Sequence, residues 1–127
     1  MPKWTGDLAS QLFQEAVIPV CPNQLIVNEY QPGQGIASHI DCEPCFGDVI
    51  CSLSLGSACT MVLTHAEDKR QEQIWLAPGS LLVLSDEARY AWLHGIPARL
   101  KDSCQSETIK RSRRVSLTFL TVILLGE

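Results

Sequence analysis

Three side chains in this sequence have the types and the spacing to share one ion. His39 and Asp41 stand two apart in NEYQPGQGIASHID, residues 28–41, at the end of a segment that reads as a β-strand. Successive strand side chains alternate faces, so residues i and i+2 point the same way. An imidazole and a carboxylate on one face can then hold an ion without a bend in the backbone. The third ligand must come from a distant strand, and His94 in WLHGIP is the candidate. Two imidazoles and one carboxylate on one side of a metal, with open positions opposite, form the facial set suited to non-haem iron(II) and dioxygen chemistry.

Such a site needs strands from separate parts of the chain to meet. From Gln24 onward the sequence breaks into short apolar or alternating runs: QLIVNEY, GIASHI, VICSLSL, CTMVLTH, QIWLA, SLLVLS, AWLHGI and RVSLTFLTVIL. Pro32-Gly33, Gly47-Asp48, Gly56-Ser57, Pro78-Gly79 and the polar stretch Lys101 to Lys110 read as the connections between them. Ahead of the strands, Leu8, Leu12, Phe13 and Ala16 recur at helical spacing over residues 7–17. Asp7 is the expected N-cap, and Pro19 and Pro22 end the helix. Eight short strands behind one short N-terminal helix predict a mainly β fold, a double-stranded β-helix of the cupin-like jelly-roll type. Strands from two facing sheets would bring His39, Asp41, His94 and Arg114 to one open mouth.

A chain of 127 residues, 46% hydrophobic and 19% charged, is expected to be a single globular domain spanning 1–127. The net charge of −4 gives no overall basic surface for capturing nucleic acid. Lys110, Arg111, Arg113 and Arg114 make the one basic run, and its first two members read as a solvated loop. The opening MPKWTGDLASQLF lacks the basic and long apolar stretches of a secretory signal. A cytoplasmic chain (nuclear if eukaryotic), not a secreted one, is therefore expected, with its six cysteines outside disulfides. Cys42 and Cys45 form a lone C-x-x-C that cannot complete a four-cysteine zinc site. They read as incidental, with redox sensitivity the lesser reading. VSLTFLTVILL is too short to span a bilayer and reads as a buried strand, so no membrane partner is expected.

In these residues and their order the chain resembles the AlkB-like family of iron(II)- and 2-oxoglutarate-dependent dioxygenases. The resemblance is carried by NEYQPGQGIASHID, SLSLGS, PGSLLVLSDEARYAWLHGIPAR and RVSLTF, most of residues 24–120. The third of these also resembles the branch that hydroxylates modified uridines in transfer RNA. It implies His39, Asp41 and His94 as iron ligands, with 2-oxoglutarate as cosubstrate and O2 as oxidant. Arg114 would meet the distal carboxylate of 2-oxoglutarate, where a planar guanidinium fork can make two parallel bonds. Asn28 and Tyr30, two apart on one strand face, would also hold the cosubstrate. Glu43 stands where base-repairing members carry an acid that touches the base, and a solvent-facing loop acid is the alternative. Asp86, Glu87, Arg89 and Tyr90 would shape the surroundings of His94, Trp92 reads as core, and His65 is given no role. The implied partners are 2-oxoglutarate and alkylated DNA or modified tRNA.

Two departures matter. The family's final motif closes on a second arginine six residues after the first, and here that position is Leu120. Alternation puts Leu120 on the face of Arg114, so the change is expected to face the pocket. About twenty residues precede Gln24, which leaves little for an N-terminal substrate lid. Both features support the rival reading, a non-catalytic jelly-roll module that recognises a modified nucleic acid or a protein partner.

Overall fold

A computed structural model describes residues 3–15, 17–43 and 45–122. The first element is the helix α1, Lys3–Gln14, followed by strands β1 (Gln24–Tyr30), β2 (Ile36–His39), β3 (Ile50–Gly56), β4 (Cys59–His65), β5 (Gln71–Leu76) and β6 (Leu81–Leu84). A short helix α2, Asp86–Tyr90, leads into β7 (Trp92–Ile96), β8 (Lys101–Cys104), β9 (Glu107–Lys110) and β10 (Arg114–Leu120). Two antiparallel four-stranded sheets result, in the orders β1-β10-β3-β6 and β2-β7-β4-β5, with β8-β9 as a separate hairpin. The chain passes back and forth between the two sheets, as a jelly roll does.

Each of the eight expected runs contains a strand. The last strand ends at Leu120, and Ile123 and Leu124 of that run lie outside the described residues. Two expectations fail. The stretch Lys101 to Lys110 is not a plain connection but a hairpin. Gln105 and Ser106 at its turn have φ of 51° and 68°, the left-handed pair that a two-residue hairpin turn needs. Its anchor is Asp102, 2% exposed, which takes the Arg111 Nε at 2.7 Å and the Arg99 Nε at 3.0 Å. Arg111 is therefore a buried partner and not a solvated loop residue. The helix also starts earlier than expected, so Asp7 lies inside it and pairs with Lys3 at 3.6 Å. Ala16 lies outside the described residues.

The strand β10 runs through the middle of its sheet and is covered on both sides. Leu117 and Phe119 face outward, where Ala9 and Leu12 of α1 and the nearby Ile18 close over them. Phe13, 44% exposed, stays outside this contact. Arg114, Ser116 and Thr118 face inward and line the space between the sheets. Among the described residues no helix is long and apolar enough to cross a membrane.

Candidate active site

The pairing of β2 with β7 sets His39 directly opposite His94. Paired residues of adjacent strands share a face, and the two rings lie 4.3 Å apart, centroid to centroid. A close approach makes this possible. A Cβ at Gly95 would sit 2.7 Å from the Ser38 Oγ and 2.9 Å from its Cα, so any larger residue beside His94 would push β2 away. Asp41 reaches the pair differently from the expectation. The strand β2 stops at His39, and Asp41 extends from the loop beyond it.

The carboxylate faces both imidazoles, Oδ1 at 3.5 Å from the His39 Nε2 and Oδ2 at 3.5 Å from the His94 Nε2. That is too long for a good hydrogen bond. One ligand atom from each of the three residues lies within 4.8 Å of the others. Metal–ligand distances of about 2 Å put two ligands of one ion roughly 3–4 Å apart, so small side-chain rotations close this spread. The hydrogen bonding around the site also suits a metal. The His39 Nδ1 lies 2.9 Å from the Ala37 carbonyl, which can only accept, so Nδ1–H donates and Nε2 is the ring nitrogen left to face a metal. Burial, then the nearby His39 charge, push His94 below its ordinary pKa. Asp41 opposes this and Arg89 adds to it. This favours the neutral imidazole of His94, the form that binds metal.

The loop carrying Asp41 is clamped from α2. Arg89 is 2% exposed, and its guanidinium donates to the carbonyls of Asp41 at 2.9 Å, Gly47 at 3.2 Å and Cys42 at 3.3 Å. The expectation that this segment supports the site is met by Arg89 through the Asp41 loop. Tyr90 instead bonds Asp48 at 2.5 Å. A further correction follows in the same loop: Cys42 and Cys45 are joined as a disulfide. Both sequence positions were legible, but not that the turn between them would bring the sulfurs together.

A cavity of about 80 Å³ opens beside the triad between the two sheets. His39, Asp41 and His94 lie on one wall, and Asn28, Tyr30 and Arg114 are on its lining. The register Tyr30↔Arg114 and Asn28↔Ser116 sets these residues side by side. Arg114 is 4% exposed; its Nη2 donates to the Ser54 Oγ at 2.8 Å and its carbon centre lies 5.3 Å from the Tyr30 ring centroid. Its Nε is buried and, among the described residues, has no hydrogen-bond partner. An unpaired buried donor costs about 1–3 kcal/mol, so this one fits a carboxylate. Opposite Arg114 stands Gly56 of SLSLGS, at φ +81°, where a Cβ would run into the Arg113 carbonyl.

Two sequence expectations change here, those for Leu120 and Trp92. Leu120 continues the row Arg114, Ser116, Thr118 but lies beyond the cavity, 1% exposed and packed with Ile50 and Leu84. Trp92 is half-buried and not core. It shares the face of His94, with His65 edge-on at 5.0 Å and the Arg70 guanidinium 5.4 Å from its centroid. His65, with no functional role expected, is structural, its Nδ1 accepting the N–H groups of Glu67 at 3.3 Å and Asp68 at 3.4 Å. Glu43 is exposed and is not among the cavity residues.

Comparison with known proteins agrees with this geometry. Residues 1–119 match the family described as the 2OG-Fe(II) oxygenase superfamily. The chain is 39% identical over 124 residues to "Uncharacterized protein L905" of Acanthamoeba polyphaga mimivirus, covering 97% of this chain and 59% of that protein. It is 42% identical over 106 residues to mouse "tRNA (carboxymethyluridine(34)-5-O)-methyltransferase ALKBH8", covering 84% of this chain and 16% of that one. The chain thus spans less than two thirds of these relatives. Among solved structures, OsALKBH1 superposes with a TM-score of 0.70 at 17% identity, over 95% of this chain and 64% of the other, a likeness of fold.

Proposed function

The chain belongs to the 2OG-Fe(II) oxygenase superfamily, in its AlkB-like branch, and from that premise we propose an iron(II)- and 2-oxoglutarate-dependent dioxygenase that hydroxylates or oxidatively demethylates a modified nucleobase. One observation carries the reading: the ligand atoms of His39, Asp41 and His94 converge within 4.8 Å beside a cavity into which Arg114 brings a buried, unpaired Nε–H. When bound, iron(II) with 2-oxoglutarate supplies the oxidising chemistry, in which one O2 and one 2-oxoglutarate become succinate, carbon dioxide and one hydroxyl on a substrate C–H.

The chain's own residues do the rest. His39, Asp41 and His94 hold the ion from one side, and the tautomer fixed at Ala37 keeps the His39 Nε2 free for it. Arg114 takes the distal carboxylate, with Asn28 and Tyr30 completing the cosubstrate's wall. The apolar lining of Ile50, Met61, Leu82, Leu84 and Ile96 keeps bulk water from that space. The printed name of the mouse relative concerns tRNA, which supports a nucleobase in RNA as substrate. Half-buried Trp92 under Arg70 beside His94 supports a flat, anionic polymer at the mouth. Glu43, exposed next to that loop, is proposed as a contact to the base.

The test is conversion of 2-oxoglutarate to succinate by purified protein with iron(II) and ascorbate. We expect slow turnover without substrate and none in His39→Ala; equal succinate from both would refute the assignment. The second reading, a non-catalytic binding module, loses its support from Leu120, which packs with Ile50 and Leu84 and does not line the cavity. It predicts that calorimetry finds no 2-oxoglutarate binding to metal-loaded protein.

A further inference from the structure

One feature beside Asp41 is not used by the oxygenase reading. Cys42, the next residue, is disulfide-bonded to Cys45, and both are exposed. The Cys42 carbonyl accepts the N–H groups of Cys45 at 3.2 Å and Phe46 at 3.1 Å and the Arg89 Nη2 at 3.3 Å. Arg89 also holds the carbonyl of Asp41 itself at 2.9 Å. The disulfide, the turn it closes and the peptide of Asp41 are therefore one cross-linked unit. The remaining cysteines differ. Cys51 and Cys59 are buried, and burial pushes the Cys51 thiol up to about 11. Cys21 is exposed and Cys104 half-buried, and both are free thiols.

We propose that Cys42 and Cys45 are a reversible thiol–disulfide site that sets how firmly Asp41 is presented, a regulation of the oxygenase site that rests on the metal reading above. Oxidation by a low-molecular-weight disulfide such as glutathione disulfide balances simply. The two cysteine thiols give up two electrons and two protons, one S–S bond forms in the protein, one breaks in the oxidant, and two glutathione thiols leave. Closing the four-residue ring takes freedom from the loop that carries Asp41. With the ring open, the carboxylate must be ordered when the metal binds. Groups that orient metal ligands from outside typically change affinity by about 10–100-fold, and the lower end applies because Arg89 still grips the loop.

The experiment uses the metal-free protein equilibrated in glutathione buffers of graded ratio. Alkylation followed by peptide mass analysis reports the state of each cysteine, and calorimetry with Mn(II) reports the site. Mn(II) suits carboxylate and imidazole ligands, and thiols compete for it poorly. We expect Cys42 and Cys45 to alkylate together in reducing buffers only, with Cys51 protected throughout. Mn(II) should bind about tenfold more tightly to the oxidised form, and Cys42→Ser/Cys45→Ser should match the reduced form in every buffer. Equal Mn(II) affinity in the two forms, with binding lost in Asp41→Ala, would overturn this proposal and leave the metal site standing. A pair that stays reduced at every ratio would also overturn it. If neither form bound Mn(II), the metal reading would fall and this proposal with it. Comparing the two forms of the wild type needs no substitution, so a variant that failed to fold would not leave the question open.

Discussion

Replacing Arg114 by methionine should separate stability from cosubstrate binding. In the unliganded protein the change removes the Nη2 bond to Ser54, a charged hydrogen bond of about 1.5–3 kcal/mol, and a contact with the Tyr30 ring of about 0.5–2 kcal/mol. It also removes a buried Nε with no partner, which costs the native state about 1–3 kcal/mol, and relieves the burial of a charge. These effects oppose each other, so unliganded stability should change by less than about 2 kcal/mol, a Tm shift of under roughly 10 °C. The cosubstrate has no such compensation. Losing two charged hydrogen bonds to its distal carboxylate, about 1.5–3 kcal/mol each, weakens binding by roughly a hundredfold or more. The assay is thermal unfolding of wild type and variant with and without 2-oxoglutarate, in the presence of Mn(II), backed by calorimetry. Wild type should gain Tm with the diacid and Arg114→Met should not. The reasoning fails if 2-oxoglutarate affinity falls less than fivefold, or if the unliganded variant loses more than about 3 kcal/mol, a loss the opposing terms do not allow.

Three further outcomes are expected. Arg89→Met leaves the hydrophobic stem but frees the Asp41 loop, so Mn(II) affinity by calorimetry should drop by about 10–100-fold while the strand signal in circular dichroism persists. Trp92→Ala should leave substrate-free succinate formation within about twofold and reduce product from a modified oligonucleotide at least about fivefold, since stacking of a base is worth about 1–3 kcal/mol; unchanged product would return Trp92 to a packing role. Burial pushes the Asp102 carboxyl up, but the hydrogen bonds from Arg111 and Arg99 hold it below its ordinary value of 3.8 overall. A depressed folded-state pKa contributes stability that is present above the unfolded value and lost as pH falls through the folded one. Wild type should thus lose this contribution below about pH 4, and Asp102→Asn should show a shallower acid dependence in denaturant melts.

The sequence made the strands readable because eight runs combine apolar alternation or β-branched content with turn residues between them. It also singled out the three residues whose ligand atoms converge, although only His39 and His94 sit at strand positions that an alternating pattern can index and Asp41 lies in the loop beyond β2. What escaped were features decided by contacts across the fold. Lys101 to Lys110 is too polar to show a strand period, and its hairpin depends on Asp102 meeting Arg99 and Arg111. No periodicity reports that Arg89 is buried, because a charged residue near a helix end reads as surface. The Cys42–Cys45 bond needs the turn that follows Asp41, and that turn is organised around a carbonyl. Leu120 lay on the expected face, but the apolar cluster around Ile50 and Leu84 begins before the row reaches it.

The two halves of the site belong to different sheets. His39 and His94 come from β2 and β7, whereas Asn28, Tyr30 and Arg114 come from β1 and β10. A small diacid that touches both halves at once acts as a strut across the sandwich, resisting the opening motion by which two packed sheets breathe. Its arrival should therefore slow amide exchange in β5, a strand with no residue on the cavity lining, and its departure should be paced by how often the sandwich parts.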